Sequence, residues 1–119
     1  MSDLFAERFA AVRLRFAAKL DARINEIEAQ IEAAQPASSR GGAPETLAHA
    51  HRRAHDLCGV GPTMGFVATG QAARSIEQVL LAAIKAGRAL TPEEVARTRA
   101  GIAQLRSAAS AETRPASQE

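Results

Sequence analysis

Ala54-His55-Asp56-Leu57-Cys58-Gly59-Val60-Gly61-Pro62-Thr63-Met64-Gly65-Phe66 is the stretch on which the reading of this chain turns. Its first half continues a helical apolar seam of Leu47, Ala50, Ala54, Leu57 and Gly61, each three or four residues after the last. His55 lies one position past Ala54. It is therefore turned about 100° from the seam and faces the edge of the helix, open to solvent. Gly59 follows one turn later on the same face. A glycine inside a helix costs about 1 kcal/mol relative to alanine, and here it leaves bare backbone where a large group can approach the imidazole. Pro62 lacks an amide hydrogen and crowds the preceding turn, so the helix is expected to end or kink there, with Gly61, Pro62 and Thr63 making the break.

Three more helices surround this one. The first spans Asp3 to Ala34, on a stripe of Phe5, Phe9, Val12, Phe16, Leu20, Ile24, Ile27 and Ile31 that no Pro or Gly interrupts. A loop rich in Ser, Gly and Pro follows over 35–43. The second helix begins at Pro44-Glu45, with proline suited to the first turn and glutamate favoured by the helix dipole. The third is expected from Met64 to Ala86, burying Phe66, Ala73, Ile76, Leu80 and Ala83 and stopping at Gly87. The fourth has the clearest start: Thr91 as N-cap, Pro92 in the first turn and Glu94 completing a capping box. Its seam is Val95, Thr98, Ile102, Leu105 and Ala109. No strand and no internal repeat is read.

Each helix has one apolar stripe and needs neighbours to cover it, and the short connections after the second and third helices favour antiparallel packing. The expectation is all-α: an antiparallel up-down four-helix bundle over residues 1–109, with a long N-terminal helix that projects beyond the others. A polar tail over 110–119 is expected to fray.

At 119 residues the chain is long enough for one modest core. Hydrophobic residues make up 46% and aromatics 3%, with no Trp or Tyr, which suits close helix packing. Stacking platforms for single-stranded nucleic acid need aromatic faces. Phe5, Phe9, Phe16 and Phe66 are all read as core, which leaves none. The net charge of +2 is small and its basic residues are spread along the chain, so no nucleic-acid partner is expected. No apolar run approaches the ~18 residues of a membrane span, and no secretory leader is read at Met1-Ser2-Asp3-Leu4. The single Cys58 excludes an intrachain disulfide and fits a reducing compartment, so a cytoplasmic location is expected.

His51, His55 and Cys58 share one stripe of the second helix, and Arg52 lies three residues before His55. Imidazole offers a neutral nitrogen nucleophile near neutral pH. A phosphoryl group placed on it would be exposed and anionic, and guanidinium groups such as Arg52 would steady it. The same stripe also admits a metal-binding reading, since two histidines at i and i+4 suit zinc. No second Cys/His cluster completes such a site, so none is assigned. Gly59 to Gly65 lacks the Lys-Ser/Thr ending and the preceding strand of a phosphate-binding loop.

Ala54-His55-Asp56-Leu57-Cys58-Gly59, then Met64-Gly65-Phe66, resembles the signature of histidine-containing phosphotransfer (HPt) domains. Ile76-Glu77 resembles the hydrophobic-glutamate pair that often follows on the next helix. The resemblance implies a carrier in a two-component phosphorelay rather than an autonomous enzyme. His55 would be the phosphoacceptor and Gly59 the clearance for a docking partner. Arg52, His51 and Cys58 on the same stripe are expected to surround the phosphoryl group, and the partner face is expected to extend over the exposed part of the third helix, with Gln71 and Arg74. The implied partners are response-regulator receiver domains and histidine or hybrid kinases, with any Mg²⁺ supplied by the receiver. Where the family often carries lysine three residues after the histidine, this chain has Cys58, and Arg52 is the candidate to replace that charge. The rival reading is a helical interaction module that binds a receiver or kinase without accepting phosphate.

Overall fold

The computed structural model describes residues 2–35 and 43–114. It contains four helices: α1 (Ser2–Ala33), α2 (Ala43–Thr63), α3 (Val67–Ala86) and α4 (Pro92–Thr113). Cross-helix contacts give their directions. Arg13 meets Met64 while Glu26 meets Arg53, so α1 and α2 run antiparallel. Pro62 lies against Gly70 and His51 against Glu77, so α2 and α3 do too. Glu112 on α4 reaches Thr69, and Arg99 and Arg106 pair with Glu32 and Glu28 of α1. The result is the up-down four-helix bundle read from the sequence, and the described residues form no strand.

Most of the predicted seam residues form the core. Leu20, Ile24, Ile27 and Ile31 of α1, Leu47, Ala50, Ala54 and Leu57 of α2, and Phe66, Ala73, Ile76, Leu80 and Ala83 at and along α3 are all buried. Ile102, Leu105 and Ala109 close it from α4. Thr98 is also fully buried and returns its hydroxyl to Val95 O at 2.8 Å, which removes the cost of an unpaired group. The expected cap of α4 is present. Thr91 accepts from Glu94 N at 3.1 Å, and Glu94 accepts from Thr91 N at 3.0 Å. Hydrogen bonds from Arg88 above all, and then from the Thr91 backbone, lower the Glu94 carboxyl to about 2.

Four expectations require correction. Phe5, Phe9 and Val12 are not core: they are 73%, 38% and 38% exposed. At that end α1 outruns its neighbours by roughly 16 Å, so the stripe continues with no helix to cover it. Tertiary anchoring begins at Arg13, which donates to Met64 O at 2.5 Å and lies over the Phe66 ring, and at Phe16, which meets that ring edge-on. Second, Pro62 does not stop α2; it lies inside the last turn, and the helix runs through Thr63. The break is one step later. Gly65 takes φ 85°, a left-handed conformation that glycine adopts without strain, and Phe66 N returns to Gly61 O at 2.7 Å. Third, α3 accordingly begins at Val67 rather than Met64.

Fourth, Ser110 to Thr113 are helical rather than frayed. The reason is Glu112, whose carboxylate accepts from Ala68 N, Thr69 N and Thr69 Oγ1 at 2.9, 2.8 and 2.6 Å. It thereby supplies the otherwise unpaired first amides of α3. Burial pushes this carboxyl up, but the bonds from Thr69 and Ala68, with Arg13 nearby, outweigh it and leave the group lowered. The loop expected over 35–43 and the rest of the tail fall largely outside the described residues.

Small residues set the spacing of α2 and α3. A methyl group on Gly70 would stand 2.7 Å from Pro62 Cδ and 2.9 Å from Pro62 Cγ, with Cys58 O at 3.5 Å. Neither a proline ring nor a backbone carbonyl can swing aside. Gly70→Ala should therefore lower stability by about 1–3 kcal/mol, the usual cost of overpacking, as read from urea or thermal unfolding. A variant as stable as the parent would mean that the two helices have slack at this crossing.

Candidate functional site

Ala54 and Leu57 are buried in the core and hold α2 by the seam on either side of His55. The imidazole of His55 is turned out of that seam, and its side chain is 67% exposed. Across the helix pair, Ile76 is buried on α3, and Glu77, the next residue, is directed at α2. Glu77 Oε2 lies 2.5 Å from His55 Nδ1. A carboxylate oxygen accepts only, so the hydrogen sits on Nδ1 and the ring donates. That choice leaves Nε2 as the ring nitrogen with a free lone pair. The Glu77 side chain is only 15% exposed, so its position is set by the helix packing.

His51 lies one turn before His55, and the two rings are 11° from parallel with centroids 6.2 Å apart. Its Nε2 is 3.5 Å from the same Glu77 oxygen. An open groove beside the rings is lined by Ala48, His51, Arg52, His55, Glu77, Leu81 and Ile84. A second adjoins it, lined by His55, Cys58, Arg74, Glu77, Gln78 and Leu81. A methyl group at Gly59 would meet nothing within 4 Å beyond the backbone of its own helix turn, so packing inside the protein does not demand glycine there.

The structure thus gathers His55, His51, Arg52 and Cys58 on one face of α2, as their spacing suggested, and brings Arg74 of α3 to the adjoining groove. Gln71 lines neither groove. It is six residues before Glu77, roughly 9 Å along α3. Arg52 has no carboxylate partner among the described residues, whereas the adjacent Arg53 is tied to Glu26 at 3.5 Å. Glu77 belongs with His55 as its direct partner, although the sequence offered it only as part of a pair of motif residues. Gln78 and Leu81 were missed. The signal was the stripe Arg74, Glu77, Gln78 and Leu81, spaced by three, four and seven, beside the buried seam of α3. Among the described residues no group of three or more His, Cys, Asp or Glu is placed to hold a metal ion.

The Hpt domain model matches residues 11–108, and this chain belongs to the Hpt domain family. Its members are phosphoryl carriers in two-component phosphorelays. No curated protein and no solved structure matches this chain. No described helix is long and apolar enough to cross a membrane.

The pairing of His55 with Glu77 has a direct consequence. Imidazole nitrogen shifts should report His55 as predominantly the Nδ1–H tautomer in the wild type. Glu77→Ala should move it toward Nε2–H while lowering stability by no more than about 1 kcal/mol, the worth of one exposed hydrogen bond. An unchanged tautomer would show that the carboxylate does not orient the ring.

Proposed function

We propose that this chain accepts a phosphoryl group on Nε2 of His55 from a receiver aspartate or a histidine kinase, and passes it to a receiver aspartate. The observation that carries this reading is the His55 ring. Its side chain is exposed, tied at Nδ1 to a carboxylate, and flanked by a glycine that leaves backbone bare. In the step from a receiver, the acyl-phosphate P–O bond breaks and its electron pair leaves with the aspartate carboxylate. The Nε2 lone pair forms the new N–P bond. The Nδ1 hydrogen stays on the ring, which becomes positive, and the Glu77 carboxylate 2.5 Å away offsets that charge as it develops. The reverse step returns the phosphoryl group and leaves a neutral ring.

The rest of the chemistry belongs to the partner. Among the described residues, the only carboxylate lining the grooves beside His55 is that of Glu77, which already holds the ring. Mg²⁺ and the acidic pocket around the transferring group are therefore assigned to the receiver, and the chain is a carrier rather than an enzyme. The exposed Arg52 and Arg74 are the cations available to the phosphoryl oxygens, in place of the lysine that Cys58 replaces. We place the protein in the cytoplasm, consistent with its single cysteine and with receiver partners. A mute interaction module is disfavoured, because such a module needs neither an exposed imidazole nor a carboxylate fixing its tautomer.

Incubation with a panel of phosphorylated receivers should place an acid-labile, alkali-stable label on the wild type. His55→Gln should take none, and label retained on it would refute the assignment. Arg52→Ala should slow transfer by about three- to tenfold, the scale of one charge-assisted contact near the surface. An unchanged rate would remove Arg52 from the phosphoryl environment.

A further inference from the structure

His51 is the ring in this site that the transfer step leaves without a task. Its Nε2 is closed off from solvent, has no hydrogen-bond partner, and stands 3.5 Å from Glu77 Oε2. The same oxygen accepts from His55 Nδ1. A lone pair on His51 Nε2 facing a carboxylate, with no room for water between, would be repelled. A hydrogen on that nitrogen reverses the sign of the contact. The separation is too long for a full hydrogen bond but short enough for the charge of the carboxylate to be felt. One carboxylate oxygen thus faces two near-parallel imidazoles on successive turns of α2.

We propose that His51 is a positioning residue for the loading of His55: carrying hydrogen on Nε2, it holds the Glu77 carboxylate against His55 Nδ1, and on gaining a second proton it draws that carboxylate toward itself and slows loading. The inference rests on His55 being the phosphoacceptor. The groove around His51 is built from α2 and α3 alone, and its titratable or charged members are Arg52 and His55 on α2 and Glu77 on α3. Cys58 and Arg74 border the adjoining groove. Of these residue types, histidine is the one whose charge changes closest to neutrality. Loading makes the His55 ring positive. A second positive ring with its centroid 6.2 Å away opposes that change and competes for Oε2. Protonated His51 therefore disfavours loading and favours release.

Phosphoramidate tests this without a receiver: its P–N bond breaks, ammonia leaves, and the phosphoryl group joins His55 Nε2. Loading rates would be measured across pH for the wild type, His51→Leu, His51→Gln and His55→Gln. His51→Leu removes the donor and should load about tenfold more slowly at about pH 8, the scale of a lost orienting contact. His51→Gln keeps an amide donor that does not titrate. It should match the wild type within about twofold at about pH 8 and lose about threefold less rate than the wild type by about pH 6. If His51→Leu does not fold, the flatter acid limb of His51→Gln decides the matter. Both variants following the wild type in rate and pH profile, while His55→Gln takes no label, would overturn the role of His51 alone. Label persisting on His55→Gln would overturn the phosphoacceptor assignment instead.

Discussion

The close approach of α2 and α3 is the constraint on which the rest of this molecule depends. Gly61 and Gly70 are buried where the two helices meet, and a methyl group on either would press on backbone or on the Pro62 ring. Further along the pair, Ala54, Ala72 and Ala73 keep the buried side chains small. Two helices held this near bring a glutamate on one within hydrogen-bonding reach of a histidine on the other. With bulkier residues at the crossing, Glu77 and His55 would be separate surface groups. The same pair would then lose the half-buried carboxylate that tells the imidazole which nitrogen to expose.

Around that pair the bundle divides its labour. The α1 and α4 side is laced by exposed ion pairs, Glu32 with Arg99 and Glu28 with Arg106, which contribute little net stability each. The α2 and α3 side keeps Arg52 and Arg74 free of such partners among the described residues, so both are available to an anion under the proposed transfer. Rigidity comes from elsewhere: the apolar core, and the Glu112 carboxylate, which joins the end of α4 to the start of α3. A carrier of this kind has no need of a closed pocket. On the proposed function, it presents one imidazole nitrogen in a fixed orientation and leaves the surrounding space to its partner.

Much of the fold was legible in the chain because helical periodicity is local. The seams through Leu47 to Leu57 and through Thr98 to Ala109 are buried as read, and the capping box at Thr91 and Glu94 is present. Where the reading failed, a distant partner made the difference. Phe5 and Phe9 continue a correct stripe, but a stripe is buried only where another helix reaches it, and no described helix covers them. Ser110 to Thr113 look like a fraying end until Glu112 finds the amides of α3, more than forty residues away in sequence. Pro62 marks the end of a helix, yet the chain tolerates it within the last turn and reverses at Gly65 instead.

The sequence by itself determined four amphipathic helices, the family, and the placement of His55 off the seam with Gly59 beside it, because these follow from spacing along a single helix. Only the tertiary structure decided which nitrogen of His55 is free, since that depends on Glu77 arriving from α3. It likewise decided that Gln71 stands apart while Gln78 and Leu81 border the ring. Register between two packed helices is set by how their side chains interlock, and no one-dimensional pattern carries that information.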